Sequence, residues 1–519
     1  MKLKKIAAAL LSTAMLSLSL AGCGGSAASQ TSGDGTLDPV NLKLYFVSEA
    51  PRDLDQVVEK LNEILQRDLN TTIEMEFTTW TDYTQKYDLA LKSAGDVDLI
   101  YTANWMSYAQ YCNQGAFLEL EELLPEYAPK LLEMIDESVW NQVSVADHVY
   151  AVPSSRFVYG SKGILYRTDL AEQYNLPVPD SVENVEAYLD GVKAALPDQG
   201  LFGASVEQNA SGEPFNAHSM LIGLKYKWVN DSYSTYGLAA DYEDPSNLYD
   251  YWNSDDFVED MKTLKRWADK GYWSKSVLSE TADPSAFDIG KIALACGGTN
   301  PGKAASARNA LQKNNPEWDS DFVSFSSISN LAYYAAPTAN MMSIPYSSKN
   351  PERALMVLEK LTTDPECYAL LQYGIEGVHY TNDDGYYQAI LDADGTSGYE
   401  AGAFAWGMEN PQLMLKEKNN EYFESIYADL DKIREQTPFD GANIYEGFNE
   451  NIESYQAERA ALGNVISQYL TPLEAGMVED VDAAVAEFRQ KAEEAGLSKI
   501  QDAYREQWQA YCEEYGYVK

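Results

Sequence analysis

Cysteine, histidine and basic charge are all scarce in this chain. Five cysteines occur in 519 residues. Four of them, Cys112, Cys296, Cys367 and Cys512, are far apart and show no Cys-x-x-Cys spacing. That argues against a disulfide scaffold and a zinc knuckle. Buried single thiols are the expected state, with one long-range disulfide left open. The three histidines, His148, His218 and His379, form no His-Glu-x-x-His or paired spacing, so no metal site of the imidazole type is expected. Lys and Arg number 38 against 80 Asp and Glu, a formal charge of -42. No basic surface is left to neutralise phosphates, so nucleic acid is excluded as a partner. Anionic lipid would be repelled as well. The longest apolar run, from Ile6, is roughly 15 residues, short of the roughly 20 that span a bilayer. Gly-x-Ser-x-Gly and the phosphate-loop pattern are absent, and there is no internal repeat.

Aromatic residues are abundant, with 10 Trp and 37 Tyr. Such rings line sites for ligands that have an apolar face and a polar rim, sugars among them. The leader carries Lys2, Lys4 and Lys5, then apolar residues, then Leu20-Ala21-Gly22-Cys23. A basic head, a short apolar body and a small-residue exit make residues 1–22 a secretory signal peptide. The cysteine directly after Leu-Ala-Gly resembles the lipobox of bacterial lipoproteins, in which Cys23 would be diacylated and become the mature N-terminus. Residues 23–40, rich in Gly, Ser and Ala at their start, read as a flexible tether. The expected location is the extracellular face of the cell membrane, of Gram-positive type, with attachment through the lipid alone.

The remaining length suits two lobes. Alternation over 41–47 and 72–77 predicts strands, as does 96–101, with helices over 51–69 and 83–93 between them. Strand, helix, strand, helix, strand is the pattern of a parallel α/β sheet. Further strands are expected at 149–153, 163–167 and 291–296, and helices at 182–196, 255–270 and from Pro351 to Leu361. Asp364-Pro365 reads as a helix start, and the helical tail from 478 to 511 as broken at Gly496.

These segments resemble a family. The carriers are the lipobox, Asp98-Leu99-Ile100-Tyr101, Tyr150-Ala151-Val152-Pro153 and Gly163-Ile164-Leu165-Tyr166-Arg167. Asn350-Pro351-Glu352-Arg353-Ala354, Thr363-Asp364-Pro365-Glu366 and Tyr373-Gly374-Ile375-Glu376-Gly377 complete the set. Their order is similar to that of extracellular solute-binding lipoproteins of ABC importers, in the maltose-binding-like sugar cluster of large Firmicutes type. The resemblance implies a clamshell of two α/β lobes, each a mostly parallel sheet with flanking helices, with ligand in the cleft at the hinge. Lobe 1 is expected at 41–155 with 327–362, and lobe 2 at 156–326 with 363–519. It implies a monomer without cofactor or catalytic residue that delivers a carbohydrate, an oligosaccharide by expectation, to ABC permease subunits. An oligopeptide-binding lipoprotein and a surface glycoside hydrolase are the alternatives.

Parallel sheets place sites at the carboxyl ends of their strands. Glu49, Trp80, Asn104 and Trp105 follow the first three predicted strands, where indole faces suit the C–H surface of a pyranose and polar groups its hydroxyls. Arg156 follows the first crossing strand and could donate to a polyol or a uronic carboxylate, or form an ion pair. Thr299 and Asn300 lie in the glycine-rich loop Gly297–Gly302, which resembles a ligand-contacting loop of the sugar-binding relatives by its position. Tyr373, Glu376 and Trp406 are expected in the second-lobe return, with core packing as the alternative for Trp406.

Overall fold

The computed structural model describes residues 37–517 except 81, 93–95, 206–214, 231, 281–282, 284, 394, 418–419, 438–443, 446 and 449. Cys23 and the predicted signal peptide lie outside the described residues. Among those described, no helix is long and apolar enough to cross a membrane.

The chain divides into two compact units, one of residues up to 157 with 336–418, the other of 158–335 with 419 onward. In chain order the first unit supplies β1 (Val40–Val47), α1 (Leu54–Leu69), β2 (Thr71–Thr78), α2 (Tyr83–Lys92), β3 (Leu99–Thr102) and β4 (Ala151–Pro153). The second supplies β5 (Gly163–Arg167), α3 (Val182–Ala195), β6 (Gly200–Phe202), α4 (Asn216–Lys225), α5 (Asp255–Asp269), β7 (Ile292–Ala295), α6 (Pro301–Asn314) and β8 (Ser320–Ser324). The first unit resumes with β9 (Met341–Ser343), α7 (Pro351–Thr363), α8 (Pro365–Tyr373), β10 (Tyr380–Asp383) and β11 (Tyr386–Ala389). The second ends with α9 (Glu421–Arg434), α10 (Gln456–Val465), α11 (Val481–Glu494) and α12 (Leu497–Glu514).

In the first unit the sheet order is β2-β1-β3-β9-β4. β1 runs parallel to β2 and β3, while β9 is antiparallel to β3 and β4. α1 buries Leu54, Val57, Leu61, Ile64 and Leu65, one stripe at helical spacing, against this sheet. Two of the motifs that carry the resemblance prove to be scaffold. Asp98, buried ahead of β3, accepts from Ser348 Oγ (2.7 Å) and Asn350 Nδ2 (3.2 Å) and so pins the start of α7. Arg353 is fully buried and donates to the Asp38 and Leu69 carbonyls and to Thr71 Oγ1. Residues 37 and 38 are therefore already tied down, Leu37 through a bond from Asn70 Nδ2 (2.8 Å), and the tether predicted to reach residue 40 gives way to packed chain earlier.

The expected lobe boundaries need correction. Residues 363–418, assigned above to lobe 2, belong to the first unit, as do 156–157, whereas 327–335 belong to the second. The reason is packing: α8, capped by Asp364 through the Glu366 and Cys367 amides, lies against α1 and α7 and puts Cys367 and Leu371 into the first core. Tyr399, Phe404, Ala405 and Met408 join the same core.

The second unit has the sheet order β8-β5-β7-β6. Only β7–β6 is parallel there, since β5 pairs antiparallel with both β7 and β8. Both sheets are thus mixed α/β sheets with flanking helices, less parallel than expected. Strands that enter on a crossing between units, such as β9, need no crossover helix and are free to run antiparallel. The helical tail is broken at Gly496 (φ 95°), as expected, and contributes Phe488, Tyr504 and Trp508 to the second core. His218 of α4, fully buried, has Nδ1 2.9 Å from Glu474 and Nε2 2.9 Å from the Tyr251 hydroxyl. The four described cysteines are buried free thiols, and burial pushes Cys112 and Cys367 up to about 12 and Cys512 to about 11.

Candidate ligand-binding site

Because β1, β2 and β3 are parallel, their carboxyl ends lie along one edge of the first unit. Glu49 follows β1, Trp80 follows β2, and Asn104 and Trp105 follow β3. A fourth chain segment reaches the same edge, the 3-10 turn Ala403–Met408. In that turn Ala403, Phe404, Ala405 and Met408 are buried while Trp406 between them is 42% exposed, as is Trp80. The three indoles form a row. The Trp80 ring lies 5.7 Å from Trp105 and 6.4 Å from Trp406, tilted by 35° and 37°. Trp105 is held from behind, its Nε1 donating to the Ala339 carbonyl (3.0 Å). Tyr83 supports Trp80 edge-on at 6.2 Å, and Tyr101 lies 6.3 Å from Trp105.

Beside Trp80 and Trp406 is a hollow of about 660 Å³, rimmed by Ser48, Glu49, Arg52 and the segment 395–403. Arg52 Nη1 donates to Asp392 Oδ2 (2.7 Å), and Asp392 accepts from the Thr396 amide (3.1 Å) and hydroxyl (3.0 Å). The Asp53 amide donates to the Gly398 carbonyl (2.9 Å). A Cβ at Gly398 would collide with the Asp53 carboxylate where it stands, so any larger residue there would displace that side chain. The site thus joins an apolar surface of tilted indole faces to a polar rim, an arrangement suited to a ligand with both kinds of face.

The other expected site residues divide. Asn104 accepts from the Trp105 amide through its own Oδ1 (2.8 Å) and shapes the turn that carries the indole. Arg156 pairs with the buried Glu409 (2.7 Å), the ion-pair alternative, and burial outweighs Arg156 in raising the Glu409 carboxyl above its usual range. Tyr373, Glu376 and Trp406 are in the first unit, not in a second-lobe return. The Tyr373 hydroxyl accepts from the Leu415 amide (2.8 Å) and its ring packs among Tyr368, Tyr380 and Tyr387. Glu376 is exposed in the turn after α8. In the second unit, Thr299 is buried and donates to the Gly163 carbonyl, and Asn300 caps α6 by accepting from the Lys303 amide (3.0 Å). The side-chain oxygens of Thr299 and Asn300 thus serve local structure. Elsewhere on the first unit, Glu119, Glu121 and His148 come together, with His148 Nδ1 3.1 Å from Glu121, a grouping that the histidine spacing does not reveal. The Val149 amide donates to the same Glu121 oxygen (2.9 Å), so the contact fastens the 144–149 hairpin.

Nothing local in the sequence marks Ser48, Arg52 or the 395–403 segment as part of this rim. The Arg52–Asp392 contact joins residues 340 positions apart, and no local pattern marks such a pair.

His379 lies behind this rim. It is 2% exposed, its Nδ1 accepts from the Ile375 amide (2.9 Å), and Asp53 is 3.7 Å from Nε2. Gly374, at φ 80°, lets the ring approach, because a Cβ there would come within 2.5 Å of Nδ1. Burial lowers His379 below its ordinary 6.5; Arg52 acts the same way and Asp53 opposes. The unfolded chain then binds the extra proton as pH falls through 6.5, so His379 contributes stability that is present above that value and lost below it. The melting-temperature advantage of the wild type over His379→Asn should shrink between pH 7.5 and pH 5. A gap that stays constant over this range would remove the titration of His379 as a contributor to stability.

The family described as bacterial extracellular solute-binding protein matches residues 51–366. The chain belongs to this family. A domain of unknown function matches residues 444–513 of the solute-binding protein. Over 517 residues the solute-binding protein is 24% identical to a carbohydrate ABC transporter substrate-binding protein of Streptococcus pneumoniae, covering 97% of this chain and 98% of that one. It is 21% identical to the polygalacturonan/rhamnogalacturonan-binding protein YtcQ of Bacillus subtilis, over 70% and 72% of the two chains. Its fold is that of the N-glycan transport solute-binding protein NgtS of Streptococcus pneumoniae, solved with Man1GlcNAc: TM-score 0.70, 20% identity, 91% of this chain and 100% of that one.

Proposed function

We propose that this solute-binding protein captures an oligosaccharide outside the cell and delivers it to an ABC importer. The observation that carries the reading is the row of Trp80, Trp105 and Trp406 beside a hydrogen-bonding hollow on the first unit. Water leaves the indole faces when the C–H face of a pyranose covers them, and the rim groups take its hydroxyls. The full-length pneumococcal relative, named for carbohydrate transport, supports the same ligand class. The role is binding without turnover, by a monomer that needs no cofactor. Ligand acts by favouring the form that the permease subunits recognise, which requires only a differential affinity. Leu20-Ala21-Gly22-Cys23 supports a diacyl anchor on Cys23 that keeps the receptor at the membrane.

Calorimetry against glycan and peptide panels, with chromatography of the incubated glycans, tests this. Saturable binding of a glycan that is recovered intact is the expected result. Cleavage of the glycan would overturn the binding role, and binding of peptides alone would overturn the ligand class.

A further inference from the structure

The ionic groups of the first unit bear on which glycans fit. Two carboxylates, Glu49 and Glu400, stand exposed on the rim of the hollow beside Trp80 and Trp406. Arg52 is the one cation lining it among the described residues. Its guanidinium is already engaged, with Nη1 on Asp392 (2.7 Å) and Nε facing Asp53 (3.5 Å). Neither acid is loose: Asp392 is fastened by Thr396, and Asp53 sits against Gly398. Arg156, the guanidinium expected from the sequence to be open to a uronic carboxylate, pairs instead with Glu409 at 2.7 Å, and Ser155 Oγ donates to the Glu409 carbonyl (3.0 Å).

Arginine recognises a carboxylate through a vacant planar fork. Here both forks face carboxylates of the protein itself. A uronate on the indole row would find no such fork and would stand beside Glu49 and Glu400, with like-charge repulsion that salt screens over about 8 Å at physiological ionic strength. The formal charge of -42 adds a repulsive long-range field for any polyanion.

We infer that the site selects uncharged oligosaccharides, read through their hydroxyl groups, and discriminates against uronate-containing ones. This rests on the carbohydrate reading above. It sets the chain apart from its Bacillus relative, whose name gives polygalacturonan as ligand. Selection by built-in repulsion is a common route to specificity.

The test is calorimetry of the whole mature chain against neutral pentasaccharides of glucose, galactose, mannose and N-acetylglucosamine, each beside its C6-oxidised uronate counterpart. At least one neutral sugar should bind, and its oxidised form at least tenfold more weakly. That gap should narrow in Glu49→Gln/Glu400→Gln, and in the wild type as salt is raised from 20 mM to 500 mM (about a 20 Å against a 4 Å screening length). The salt series keeps the question answerable if the variant fails to fold. Oxidised sugars bound as tightly as neutral ones would overturn the selectivity and leave the carbohydrate reading standing. A gap that neither salt nor the double substitution narrows would overturn its electrostatic cause. Failure of every sugar, with peptides bound instead, would remove the carbohydrate reading itself.

Discussion

Trp80→Ala should weaken oligosaccharide binding about 10- to 100-fold, about 1.4–2.8 kcal/mol, the range of an aromatic residue central to a contact surface. Trp80 is the middle ring of the row, in contact with both Trp105 and Trp406, and it also lines the hollow. Its removal takes away one stacking face and leaves the other two indoles unsupported on that side. Trp406→Ala should cost less, because it removes an end of the row. Trp80 is 42% exposed, so the loss in folding stability should stay near about 1 kcal/mol, well below that of a core truncation. Calorimetric titration together with a melting curve separates the two effects. Unchanged affinity in a folded Trp80→Ala protein would move the site off this row.

Trp508→Ala should destabilise the second unit by about 3–5 kcal/mol, the range for truncating a buried large aromatic. Trp508 is fully buried in α12, donates from Nε1 to the Pro245 carbonyl (2.6 Å), and packs on Phe448 (5.1 Å) and Tyr445 (5.9 Å). The 444–513 segment is thereby part of the second core, an arrangement that Trp252 against Phe488 (4.9 Å) repeats. At roughly 2–4 °C per kcal/mol, the melting transition of that unit should fall by roughly 6–20 °C. A shift below about 2 °C would make the segment peripheral to the core, in conflict with the burial of Trp508. Because the chain has two units, the transition is best followed by scanning calorimetry, where two events can be resolved.

Local physics made much of this fold legible. Alternation located β1 and β2, the helical stripe located α1, and Asp364 ahead of Pro365 marked the start of α8. Gly496 was readable as a break because only a left-handed residue fits between α11 and α12. What local patterns could not supply was the partner of each buried face. The apolar positions of α8 indicate burial, but nothing in 365–373 says that they pack on α1, roughly 300 residues earlier in the chain, and so the lobe boundary is not legible there. The direction of β9 was hidden for the same reason.

The candidate site divides along the same line. Trp80 and Trp105 could be placed by their position after parallel strands. Trp406 could be named as a candidate, but its neighbours in space come from the far end of the first unit. Thr299 and Asn300 have the composition of a binding loop, yet a cap and a carbonyl occupy their oxygens. Arg156 looked available until Glu409, 253 residues away, took its guanidinium.

The most direct measurement is the crystal structure of the mature chain with the tightest-binding neutral oligosaccharide. A pyranose ring should lie within about 4 Å of the Trp80 or Trp406 indole face, in van der Waals contact, with its hydroxyls turned toward the rim around Ser48 and Glu49. A sugar bound elsewhere, with the Trp80–Trp105–Trp406 row uncovered, would contradict carbohydrate binding at these indoles.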